Sequence, residues 1–259
     1  MKHAINQDPE QRARDQIDQM LRQAGWQVFD KNQGSIYAGL GVAMREYQTE
    51  VGPVDYALFV DGQPAGVIEA KREEEAHRMS MVEEQSKGYA DAAWKYVGDH
   101  PIPFVYESTG TLTIFTDRRD PKPRARVVFS FHRPATLDRW LKQEKSLRAK
   151  LASMPVLIKD GLRPAQIVAI ENLERSFAEN RPRALIQMAT GAGKTFTAAT
   201  FVYRLLKHAD AQRILFLVDR RLLAKQAMDA FTDNKIVGFN TFAEIYEVKA
   251  LKDTIPDVD

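Results

Sequence analysis

The chain has 259 residues, 44% hydrophobic and 28% charged, a formal net charge of +2 and no cysteine, the balance of an ordinary folded protein with room for two modest domains. This excludes a disulfide frame and a thiolate metal site, and five scattered histidines argue against zinc. No apolar run approaches the roughly 18 residues of a membrane span and the polar start has no signal-peptide centre, so a cytoplasmic protein is expected.

Ile17, Met20, Leu21 and Ala24 recur at helical spacing and Gly25 supplies a stop, which predicts an amphipathic helix from about Glu10 to Ala24. Residues 54–60 alternate like a strand, Asp61-Gly62 makes a tight turn, and residues 65–71 run extended, which predicts a β-hairpin. Residues two apart on a strand point the same way, so Glu69 and Lys71 share a face, and hairpin pairing can bring Asp55 beside them. Two carboxylates and an amine meeting there suit Mg²⁺-assisted phosphodiester chemistry, with the lysine orienting water or stabilising charge on the phosphorane. A helix is expected over 73–96, with Gln85 and Tyr89 four apart on one face, and strands over 104–107, 112–116 and 127–131 complete a mixed α/β unit. Arg118, Arg119, Lys122, Arg124 and Arg126 form the densest basic cluster, readable as a DNA-backbone contact or as a solvated loop. Leu137 to Leu151 reads as one amphipathic bridging helix ended by Pro155.

From Lys159 the pattern becomes helix 164–178, strand 184–188, glycine loop, helix 195–207, strand 214–218 and helix 222–231, an alternation that predicts a parallel sheet covered by helices. The loop Thr190-Gly191-Ala192-Gly193-Lys194-Thr195 lies between an apolar strand and a helix, where backbone N–H groups and the helix N-terminus can cradle phosphate. Lys194 then neutralises the β and γ phosphates and Thr195 holds Mg²⁺. Asp219, after the apolar run 214–218, is a competing candidate for a Mg²⁺ carboxylate, although no acidic partner follows it.

These motifs carry resemblances. Ala-Thr-Gly-x-Gly-Lys-Thr resembles the phosphate loop of superfamily 2 helicases and translocases, with Met188 standing where the general pattern has glycine. Leu162 to Gln166 looks like that superfamily's glutamine motif, which implies that Gln166 reads adenine. Residues 216–226 resemble its next motif, which implies that Arg220 and Arg221 contact a DNA strand. Asp55, Glu69 and Lys71 resemble the active-site signature of PD-(D/E)xK nucleases, here with Val54 splitting the Pro-Asp pair, and Gln85 with Tyr89 resembles the Gln-x-x-x-Tyr element of RecB-related nucleases. Glu10 is either a further metal ligand, as in related nucleases, or a carboxylate favoured by the helix dipole.

Taken together, the sequence resembles the R subunit of type I restriction enzymes. The resemblance implies a PD-(D/E)xK-like nuclease domain with a mixed sheet flanked by helices (1–134), a helical linker (135–158), and the incomplete start of a RecA-like parallel α/β domain (159–259). It also implies Mg²⁺ and ATP as cofactors, unmodified double-stranded DNA as substrate, and methyltransferase and specificity subunits as partners. No acidic box of the Asp-Glu-x-His kind follows Lys194 before Asp259, so weak nucleotide binding without turnover is expected of these 259 residues. The rival expectations are a helicase with a non-catalytic N-terminal domain and a type III or solitary restriction enzyme.

Overall fold

The computed structural model describes residues 9–30, 33–49, 52–73, 102–181, 183–219, 221–233, 235–237, 240–250 and 253. The chain divides into two units, 1–144 and 145–258.

The first unit is a seven-stranded mixed sheet in sequence order: β1 Gln27–Phe29, β2 Gly41–Thr49, β3 Gly52–Val60, β4 Gln63–Ala70, β5 Phe104–Ser108, β6 Thr113–Asp117 and β7 Arg126–Val128. The pairs β1–β2 and β4–β5 are parallel and the others antiparallel. Helix α1, Pro9–Gln23, buries Ala13, Ile17 and Leu21, the i, i+4, i+8 stripe of one helical face. It ends in a Schellman turn: Gly25 takes φ +91°, Trp26 N–H donates to Leu21 O and Gly25 N–H to Arg22 O, both at 3.0 Å. The stripe packs on Tyr56, Leu58, Ile68, Phe104 and Tyr106 to form the main core, which is closed by Leu137 and Trp140 of α2, Pro134–Leu141. Val42, Met44, Ala57 and Phe59 form a smaller cluster, and Val67 with Ile102 another.

The long helix expected over 137–151 is two helices, α2 and α3 (Leu147–Ala152). The polar run 142–146 offers no apolar side to bury, and the Ser146 hydroxyl accepts from Ala149 N–H, starting α3 afresh. Two of the five cations in the 118–126 cluster turn inward. Arg119 is paired with Asp117 at 2.8 Å with its guanidinium 4.8 Å from the Phe104 ring centroid, and Arg126 lies 4.7 Å from that of Phe115.

His132 packs against this core, 4.5 Å from the Phe115 ring centroid and 4.8 Å from that of Trp140, and its Nδ1 and the Tyr106 hydroxyl share a hydrogen bond at 2.7 Å. Burial, with Arg126 adding to it and Asp117 opposing, pushes its pKa down to about 4. The unfolded chain, titrating near 6.5, then binds more protons than the fold between these values, and stability falls as pH drops through that window. We expect a loss of roughly 2 kcal/mol between pH 7 and pH 5 in urea unfolding of this unit, absent in His132→Gln; an unchanged pH slope in that variant would remove His132 as its source.

The second unit contains α3, α4 Pro164–Ala178, α5 Lys194–Ala209, α6 Arg221–Asp233, the two-stranded pair β8 Lys235–Val237 and β9 Asn240–Thr241, and α7 Phe242–Ile245. Pro164 begins α4 at a position where its missing N–H costs nothing. Ala199, Val202, Tyr203, Phe231 and Phe242 form its core. Arg204 of α5 grips Glu174 of α4 with two hydrogen bonds, at 2.5 and 3.0 Å. The strands expected at 184–188 and 214–218 are a correction: neither segment forms a strand, and Leu185 is 93% and Leu217 76% exposed. Strands of a parallel sheet are stable only when neighbours pair with them and both faces are covered, and among the described residues no strand pairs with either.

Candidate functional site

The hairpin β3–β4 determines where the acidic residues stand. Tyr56 pairs with Ile68, so the register carries Asp55 opposite Glu69, and Glu69 pairs in parallel with Glu107 of β5. On the other side, Arg45 pairs with Tyr56 and Tyr47 with Val54, which puts Glu46 opposite Asp55. Glu46, Asp55, Glu69 and Glu107 therefore form one row across four adjacent strands.

Of the three residues singled out from sequence, Asp55 and Glu69 stand in that row and Lys71 follows two residues after Glu69, just past the end of β4. Asp55 Oδ2 accepts the N–H of Ala70 at 2.9 Å, the residue between Glu69 and Lys71. Lys71 Nζ is paired with Glu69 Oε1, and its backbone N–H donates to Ser108 O at 2.8 Å, which ties the end of β4 to β5. Asp55 Oδ1 accepts from Arg14 Nη2 of α1 at 2.7 Å, and the same nitrogen reaches Glu10 Oε1 at 3.1 Å. Glu10 is thus part of the constellation through Arg14. Burial raises the Glu107 pKa, Glu69 raises it further, and Lys71 opposes. Gln85 and Tyr89 lie outside the described residues.

Arg14, Glu46 and Glu107 are additions that sequence reading missed. Arg14 lies one turn after Glu10, a pairing visible in the spacing. Glu107 needs the β4–β5 register and Glu46 the β2–β3 register, neither of which the sequence exposes. Among the described residues no three Asp, Glu or His side chains are grouped to hold a metal ion by themselves. Two carboxylates of hard oxygen donors nonetheless suit Mg²⁺, which binds through one or two carboxylates and leaves its other positions to water and substrate phosphate. On donor chemistry, Asp55 and Glu69 fit such an ion.

In the second unit, Gly191 and Gly193 adopt φ +78° and +83°, the left-handed region that shapes the loop before α5. A side chain at Gly193 would collide with Gln166, whose Nε2 lies 2.3 Å from where a Cβ would stand. Gln166 is buried; its Oε1 accepts Arg163 N–H at 2.9 Å and its Nε2 donates to the Ala192 and Gly193 carbonyls at 3.3 and 3.4 Å. Arg163 Nη1 donates to Gly191 O at 3.0 Å. Lys194 is exposed and folds over the loop, its Nζ donating to Met188 O and Ala189 O, each at 3.1 Å. Thr195 lies in the first turn of α5, and Thr190 is exposed in the loop. Arg221 begins α6, and Arg220 lies outside the described residues.

Comparison with known proteins bears on both units at once. The endonuclease subunit of the type I restriction enzyme EcoKI from Escherichia coli K12 is 31% identical over 96% of this chain. This chain resembles the type I restriction endonuclease subunits over nearly its whole length. The EcoAI endonuclease subunit from Escherichia coli is 32% identical over 64% of the chain. The chain spans only 26% of the EcoKI subunit and 20% of the EcoAI subunit. Two family models match separate parts: the second domain of the EcoKI endonuclease subunit over residues 37–141, and the res subunit of type III restriction enzymes over 159–255. A solved fragment from Vibrio vulnificus YJ016, described as an HsdR subunit of a type I restriction enzyme, aligns at 23% identity with a TM-score of 0.34, covering 80% of this chain and 39% of that one. No helix among the described residues is long and apolar enough to cross a membrane.

Proposed function

We propose that the first unit is a PD-(D/E)xK-type nuclease that cuts unmodified double-stranded DNA, and that the second belongs to an ATP-binding, RecA-like translocase. The observation that carries the nuclease reading is the Asp55 carboxylate bonded to the N–H of Ala70, between Glu69 and Lys71. Asp55 and Glu69 would hold Mg²⁺, which when bound polarises a phosphoryl oxygen and lowers the pKa of a water. Lys71 places its ammonium where charge grows on the phosphorane, and the Ala70 N–H keeps Asp55 from rotating away. In the second unit Gly191, Gly193 and Lys194 would receive the phosphates of ATP, Thr190 would add a hydroxyl to the loop, and Thr195 would take the nucleotide's Mg²⁺. Gln166 would read adenine on rotation of its amide, while its present bonds shape the loop. Arg220 and Arg221 would contact the DNA backbone. Kinship with type I endonuclease subunits supports methyltransferase and specificity subunits as partners, and a cytoplasmic site of action.

Two observations favour a second reading, a motor with a non-catalytic N-terminal domain: Asp55 is already paired with Arg14, and no three acidic or histidine side chains among the described residues are grouped to hold an ion. Linearisation of unmodified plasmid by the assembled complex separates the two. The nuclease reading expects cleavage that needs Mg²⁺ and disappears in Asp55→Asn; undiminished cleavage in that variant would leave the second reading standing.

A further inference from the structure

Arg14 takes three carboxylates with one guanidinium. Its Nη2 donates to Asp55 Oδ1 at 2.7 Å and to Glu10 Oε1 at 3.1 Å, and its Nη1 donates to Glu46 Oε1 at 3.1 Å. The three acids come from β3, α1 and β2, so this is a meeting of distant segments around one cation. Two further observations mark it as more than a surface ion pair. Glu46 is held at φ +48°, a left-handed conformation unfavourable for a residue with a side chain, at the point of β2 that faces Asp55. Nε of the guanidinium is buried and has no hydrogen-bond partner among the described residues, so the group is kept there despite an unmet polar atom. Arg14, Glu46 and Asp55 line a cleft of about 380 Å³ together with Gln11, Asp30 and Arg45.

Three anionic groups gathered at one point repel one another unless a cation stands between them. Arginine brings one positive charge and a divalent ion brings two, and both bind the same carboxylate oxygens. We propose that Arg14 is a positioning residue for Asp55 that also acts as a built-in competitor of the divalent ion. It holds Asp55 in the orientation whose other oxygen accepts the Ala70 N–H, and it lowers the affinity of the site for metal, because the ion must take Asp55 Oδ1 from the guanidinium. The inference rests on the reading of Asp55 as a metal ligand.

Binding of Mn²⁺, followed by loss of the free-ion electron paramagnetic resonance signal, tests it without reference to cleavage. The unsubstituted protein should bind Mn²⁺ weakly, and Asp55→Asn should lose that binding. Arg14→Gln should bind about fivefold or more tightly. It should also melt at a lower temperature than the unsubstituted protein in EDTA and regain that temperature as Mn²⁺ is added. Arg14→Lys, which keeps the charge but not the two-handed reach, should fall between them. Equal or weaker Mn²⁺ affinity in both Arg14 variants overturns the competition and leaves the metal reading of Asp55 intact. Absence of Mn²⁺ binding by the unsubstituted protein, or equal binding by Asp55→Asn, removes the metal reading and the competition with it, and is recognised without the Arg14 variants.

Discussion

Lys71→Ala is expected to lower DNA cleavage by roughly 10²–10³-fold, the usual effect of removing a group that stabilises charge developing in the transition state. The ammonium is partly buried beside Glu69 and has no role in the apolar core, so the fold should survive its loss. What disappears is the ammonium paired with Glu69 just past the end of β4, the cation that the nuclease reading assigns to charge growing on a phosphorane oxygen. The substitution also releases Glu69 from its ion pair, so metal affinity should be kept or improved while turnover collapses. This split between binding and rate distinguishes a chemical role from a structural one. Arg is the informative second substitution: it restores the charge with different geometry, and recovery of only a small part of the activity is expected. Single-turnover cleavage at saturating Mg²⁺, with Mn²⁺ affinity measured alongside, checks both parts. Cleavage within twofold of the unsubstituted enzyme in Lys71→Ala would take the lysine out of the chemistry.

The elements most legible in the sequence are those whose signals are local. Ile17, Leu21 and Gly25 define α1 and its end, Asp61-Gly62 turns β3 into β4, and Pro164 opens α4. Less legible is whatever depends on pairing. β2, Gly41–Thr49, does not alternate because Val42, Ala43 and Met44 are buried on both faces of the sheet, and β1 has only three residues. The same limit applies at the site. Asp55, Glu69 and Lys71 lie on two strands joined by a tight turn, so their proximity follows from the hairpin alone, whereas Glu107 reaches Glu69 through a parallel pairing across more than thirty intervening residues. Arg14 was the most readable of the missed residues, one turn from Glu10, but its bond to Asp55 depends on α1 packing over β3. The apolar segments 184–188 and 214–218 mislead for the complementary reason: their composition suits strands, and no pairing partner stands beside them among the described residues.

Lys194→Ala is expected to weaken nucleotide binding by roughly 10²-fold or more, since two charge-assisted hydrogen bonds to phosphate are each worth about 1.5–3 kcal/mol. In the present structure the ammonium makes its bonds to the Met188 and Ala189 carbonyls, which belong to the same loop. Those are neutral acceptors on the exposed side of the protein, so exchanging them for phosphate oxygens is favourable and costs little rearrangement. The loop itself is supported from beneath by Gln166 and Arg163, which donate to Gly191, Ala192 and Gly193. The alanine variant should therefore keep its melting temperature in the absence of nucleotide. Gly193→Ala is predicted to fail in the opposite way: its Cβ meets Gln166 Nε2 and its φ is unfavourable, so the cradle is distorted while the lysine remains. Titration with a fluorescent ATP analogue, read beside thermal melting, separates the two. Lost affinity at unchanged stability identifies Lys194 as a phosphate ligand, lost affinity at reduced stability identifies Gly193 as a shaper of the loop, and full affinity in Lys194→Ala would show that the glycine loop is only a connection between segments.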